Sequence, residues 1–120
     1  MSGNREFGAL IRARRLEMEA IDPRFSLRQL AARIEIEPSY LSKIERGHEQ
    51  PPGEGTIRRL AEELAEDPDA LLARAGKISS DLAEIIRERP TVVAGLLRSV
   101  RRASSKCVEE VTRQVRDGVW

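Results

Sequence analysis

The sequence predicts an all-α protein: a five-helix domain followed by a short helical tail. Three observations point there. Apolar residues recur at helical spacing along nearly the whole chain. No stretch alternates as a half-buried strand would. Proline, glycine and small polar residues fall where such helices would start and stop. A chain of 120 residues holds one domain, or one domain with a small appendage.

Taken in order, Phe7, Leu10, Ile11 and Met18 mark a first helix over about 4–19. Leu27, Leu30, Ala31 and Ile34 stand at i, i+3, i+4, i+7 and mark the second. Ser26 is its cap, Gln29 completes a capping box, and Phe25 meets Leu30 as a hydrophobic staple. A short third helix runs over about 38–46, opened by Pro38 and stopped by Gly47. Pro51, Pro52 and three glycines make 47–55 a loop. Ile57, Leu60, Ala61 and Leu64 repeat the helical spacing, with Thr56, Arg58 and Arg59 at the start of this fourth helix. Asp67 and Pro68 cap and open a fifth, which ends at Gly76. These five helices form a domain over 1–77.

The remainder, 78–120, reads as two or three short amphipathic helices. Ile85, Ile86, Val93, Leu96, Leu97 and Val100 form its main stripes, and Val108, Val111 and Val115 a weaker one. So small a unit cannot make a core alone. The stripes are therefore expected to pack against a second copy of the chain, as a dimerisation region, or back on the first domain. Trp120 is either an interface anchor or an unordered end.

Composition excludes several functions. Twenty-one basic and 20 acidic residues leave a net charge of +1, so nucleic acid is not held by bulk charge alone. Aromatic residues, at 3%, are too few for a base-stacking surface. One cysteine, Cys107, and one histidine, His48, cannot build a thiolate/imidazole zinc site or an internal disulfide. No metal or other cofactor is expected. No apolar run approaches the roughly 20 residues of a membrane span, and no signal peptide is evident, so the expected location is the cytoplasm. The set lacks a nucleophile–base pair and a phosphate-cradling glycine loop, so no enzymatic activity is expected.

The informative window is Leu27 to Arg46: two short helices joined by a four-residue turn, with small Ala31 at their crossing and Ile34, Ile36, Leu41 and Ile44 fixing the angle. Such a pair holds its second helix outward, where it can enter a major groove about 12 Å wide. The stretch SLRQLAARIEIEPSYLSKIERG, then PP, then GTIRRLAEELAEDPDALLARAG, resembles the lambda repressor/Cro-like (XRE) helix-turn-helix regulators over roughly 7–76. The resemblance implies a lambda-repressor-like domain that binds operator DNA as a dimer, in a bacterial or phage setting, with 38–46 as recognition helix. It departs from that pattern twice. Glu35 stands where the family usually has a turn glycine, which implies a left-handed glutamate. Leu27 stands where the family favours glutamine, so no DNA contact is carried over to it.

On this reading Ser39, Ser42 and Lys43 face base edges, and Glu37 is either a cytosine acceptor or simply the residue before Pro38. Arg28, Arg46, Thr56 and Arg58 are candidates for the DNA backbone; Tyr40 is read as a packing residue. Residues 1–47 carry nine basic and seven acidic residues, 48–78 four and seven, and 79–120 eight and six. No segment is strongly basic, so useful affinity calls for contacts doubled across a dimer. The leading function is a repressor on a palindromic operator. A Cro-like domain with a short helical tail also resembles repressors paired with zinc peptidases of the ImmA/IrrE type, in which cleavage of the tail relieves repression. The alternative is an antitoxin, bound to a cognate toxin, or an adaptor that uses the C-terminal helices.

Overall fold

The computed structural model describes residues 2–118; Trp120 lies outside them. The described residues form eight α-helices and one 3-10 turn, with no strand among them, so the protein is all-α. They divide into two compact units between Ser79 and Ser80.

The first unit contains α1 (Ser2–Glu19), a 3-10 turn (Pro23–Phe25), α2 (Leu27–Arg33), α3 (Pro38–Glu45), α4 (Glu54–Glu63) and α5 (Pro68–Arg74). Each helix turns one apolar side to a shared core. That core is built from Phe7 and Ile11, Leu30, Ala31 and Ile34, Leu41 and Ile44, Ile57, Leu60, Ala61 and Leu64, and Leu71 and Leu72. Phe25, Leu27, Ile36 and Tyr40 pack against its edge. Helix α3 lies between α1 and α2, and α4 pairs with α5.

The starts of these helices follow the sequence with two differences. Ser26 Oγ accepts the Gln29 N–H at 3.2 Å, but the Ser26 N–H donates to the Pro23 carbonyl at 3.1 Å to close the 3-10 turn. Only half of the capping box therefore forms. Helix α4 begins at Glu54, earlier than the proline–glycine pattern indicates, with Gly53 as its cap. An acidic first residue suits the positive end of the helix dipole and outweighs the weak propensity of Gly55. Thr56 and Arg58 therefore lie inside the first turns of α4 and do not open it.

Four successive helices end in the same way. After α2, α3, α4 and α5 the chain takes one left-handed residue, and the next N–H returns to a carbonyl of the last turn, a Schellman closure. These return bonds are Ile36 to Ala31 at 3.0 Å, His48 to Lys43 at 2.9 Å, Glu66 to Ala61 at 2.8 Å and Lys77 to Leu72 at 2.9 Å. Glycine fills the left-handed position at Gly47 and Gly76, whereas Glu35 (φ 62°) and Ala65 (φ 56°) hold it as ordinary L-residues.

The second unit contains α6 (Ser80–Glu88), α7 (Pro90–Val100) and α8 (Ser105–Arg116). Pro90 opens α7, and Ser104 Oγ caps α8 by accepting the Cys107 N–H at 3.1 Å. None of the three helices has a buried residue. Leu82, Ile85, Val92, Leu96, Leu97, Val111 and Val115 are exposed, while Ile86, Val93, Val100 and Val108 are half-buried. Leu96, Val100, Val108, Val111 and Val115 line an apolar groove together with exposed Cys107. Among the described residues, no helix is long and apolar enough to cross a membrane.

Candidate nucleic-acid interface

Helix α3 has two unlike flanks. Leu41, Ile44 and Glu45 are buried, whereas Ser39, Lys43 and Arg46 are exposed and Ser42 is half-buried. Residues 39, 42, 43 and 46 stand at i, i+3, i+4 and i+7, so they form one polar stripe on the outer side. Glu37 is exposed at the cap position, where its carbonyl accepts the N–H groups of Tyr40 and Leu41. Its side chain makes no capping bond. Tyr40 packs against the core edge.

Three contacts fix α3 in place. Fully buried Ala31 keeps the α2 side small where the two helices meet. Gly8 lets α1 touch the end of α3 so closely that a Cβ there would lie 2.1 Å from the Ile44 carbonyl oxygen. Beneath α3, Arg15 and Glu45 form a buried bidentate pair, with Nε–Oε2 at 2.6 Å and Nη2–Oε1 at 2.9 Å. Arg15 Nη1 also donates to the Phe25 carbonyl at 3.2 Å and to Glu19 at 3.3 Å. The hydrogen bond to Glu45 raises the Arg15 pKa against the opposing effect of burial, so the guanidinium stays charged. A buried pair of this kind is held by its geometry. Removing one partner strands the other charge in the interior.

The turn before α3 carries the left-handed Glu35 that the departure from glycine implies. Arg59 braces it from α4: its Nη1 donates to the Ile34 carbonyl at 3.2 Å and lies 3.6 Å from the Glu35 carboxylate. Arg33 of α2 pairs with Glu63 at 3.0 Å and lies 4.8 Å over the Phe25 ring, a cation–π contact at the base of the helix pair. Arg24 hydrogen-bonds Asp22 and holds that carboxyl below the usual aspartate range.

The cations around the helix pair divide into committed and available ones. Arg14, Arg15, Arg24, Arg33, Arg58 and Arg59 are tied to carboxylates. Arg12, Arg28 and Lys43 are exposed, and their side chains make no ion pair or hydrogen bond among the described residues. Arg46 donates from Nε to the Ser42 carbonyl at 3.3 Å, a contact that uses one edge of its guanidinium. A cleft with Arg12, Leu27, Ser42 and Arg46 on its walls joins α1, α2 and α3, with Arg15 and Glu45 also lining it.

Of the residues singled out in the sequence, Ser39, Ser42, Lys43 and Arg46 come together on one stripe, and Arg28 is exposed on α2. Thr56 is half-buried on α4, and Arg58 pairs with Glu54 at 3.2 Å, so neither belongs to the cleft. Sequence reasoning passed over Arg12, Arg15, Glu45 and Gly8. A signal was present for the ion pair. Arg15 continues the Phe7, Ile11 stripe at i+4, and Glu45 stands four residues after Leu41, so opposite charges occupy two apolar stripes. Gly8, inside a helix, marks a close backbone approach.

No curated protein and no solved structure matches the chain. A family model described as a helix-turn-helix domain matches residues 6–75, the span that holds α2, α3 and their supports. That match covers more than half of the sequence, and the chain belongs to the helix-turn-helix domain family, whose architecture is that of DNA-binding regulators.

Proposed function

We propose that the protein is a sequence-specific DNA-binding repressor of the XRE type, acting as a homodimer on a palindromic operator. The observation that carries this reading is the split of α3 into a buried flank and an outer stripe of Ser39, Ser42, Lys43 and Arg46. In the proposed complex α3 enters the major groove. Lys43 donates to guanine O6 and N7, Ser39 and Ser42 read adjacent base edges, and Glu37 faces a cytosine amino group. Arg28 and Arg46 hold the backbone, with Thr56 and Arg58 as weaker candidates on account of their burial and pairing. Two subunits would seat two copies of α3 roughly 34 Å apart and block polymerase by occupancy. The apolar residues that α6–α8 leave exposed (Ile85, Leu96, Leu97) or half-buried (Ile86, Val93, Val100) support self-association. No catalysis is proposed, and the working location is the cytoplasm.

The same apolar surface supports a second reading, in which α6–α8 bind a toxin or another protein and the chain acts as an antitoxin or adaptor. On the repressor reading, cleavage of α6–α8 by a zinc peptidase would be one route to relieve repression. Selection of bound sites from random duplexes, run beside a light-scattering mass, separates the readings. A repressor yields a two-fold symmetric motif and a dimer mass. A monomer that enriches no motif overturns it.

A further inference from the structure

We propose that the cleft between α1 and α3 is a phosphate-binding subsite, and that Arg12 is its principal ligand beside Arg46 and the Ser42 hydroxyl. The inference rests on the duplex-binding reading above and names a contact that this reading lacks. The cleft encloses about 310 Å³, the small end of ligand-site volumes, which suits one phosphate group better than a larger ligand. Its charged residues are Arg12, Arg15, Arg46 and Glu45. Glu45 is consumed by its two short bonds to Arg15, which cancels one pair of charges. Two positive charges remain, on Arg12 and Arg46, and both residues are exposed.

Neither is neutralised. The Arg12 side chain makes no ion pair or hydrogen bond among the described residues, and Arg46 commits one nitrogen to a carbonyl. A planar guanidinium with free edges matches the paired oxygens of a phosphate. Leu27 supplies an apolar side-chain wall, so the side-chain donors of the cleft come from the α1 and α3 sides. Ser42 belongs both to the cleft and to the base-facing stripe, so an anion held here lies beside the residues proposed to read bases. The ligand chemistry is therefore a backbone phosphodiester of duplex DNA, seated next to the groove that α3 enters.

The test is an anisotropy titration of the full chain against the selected duplex and a random duplex, from about 50 to 200 mM salt. The wild type is compared with Arg12→Gln, Arg12→Lys and Arg74→Gln, the last an exposed arginine on α5 outside the cleft. Arg12→Gln should weaken binding several-fold on both duplexes and flatten the log–log salt slope by about one for each subunit bound. Arg12→Lys should restore most of that slope, and Arg74→Gln should leave it unchanged. If the wild type binds the selected duplex and Arg12→Gln keeps its affinity and slope, the subsite is overturned while the repressor reading stands. A loss confined to the selected duplex, or an equal change in Arg74→Gln, also overturns it. A wild type with no preference for any duplex defeats the repressor reading itself.

Discussion

Glu35 and Ala65 occupy equivalent left-handed positions in different surroundings, and the difference is measurable. A left-handed L-residue costs roughly 1–2 kcal/mol, part of which a glycine gives back through its larger unfolded-state entropy. Ala65→Gly should therefore raise stability by about 0.5–1 kcal/mol in a urea titration. Glu35→Gly should gain less, because it also removes the 3.6 Å contact to Arg59, an exposed pair worth at most about 1 kcal/mol. A larger gain at Glu35 than at Ala65 would contradict this account. Glu45→Ala should cost about 3–5 kcal/mol, because Arg15 would be left charged and unpaired in the interior. Asp22 provides a pH check. Arg24 hydrogen bonds lower its folded pKa, so this contribution is complete above the unfolded aspartate value and disappears as pH falls through the folded one. A carboxyl titration of Asp22 at or above the usual range would refute the assignment.

The helices were legible to different degrees. Periodicity located α2 and α5 closely, because their caps, Ser26 and Asp67, are local hydrogen bonds that depend only on nearby residues. The early start of α4 was missed. Gly53 and Gly55 read as loop, and the favourable placement of Glu54 is a modest effect that spacing does not reveal. The contact between α1 and α3 was also missed, because it joins residues far apart in the chain through a glycine that carries no side chain to signal it. Gly8→Ala tests this contact directly. Its added methyl would meet backbone oxygen, which cannot rotate away, so one helix must move. The expected loss is about 1–3 kcal/mol, together with weaker duplex binding as α3 shifts. Unchanged stability would show that α1 and α3 do not touch as closely as Gly8 indicates.

The two units differ in what holds them together. Every buried apolar side chain of the described residues lies between Phe7 and Leu72, so the first unit has its own core. The second has no buried residue in its helices and exposes a row of leucine, isoleucine and valine. A chain ended after Ser79 should accordingly keep cooperative thermal unfolding. On the dimer reading it should also sediment as a monomer and bind duplex far more weakly. Retention of dimer mass would place self-association in the first unit. The sequence showed these apolar stripes clearly, but stripes alone do not identify what covers them, and that is why partner choice needs a solution experiment.

The outer stripe of α3 shares no residue with the buried set that anchors the helix. Ser39 and Lys43 can change while Leu41, Ile44 and Glu45 keep the rod seated. Recognition and foldedness are thereby separable traits, and a lineage could retarget such a protein to new genes by exchanging a few polar side chains, with each intermediate still a folded molecule.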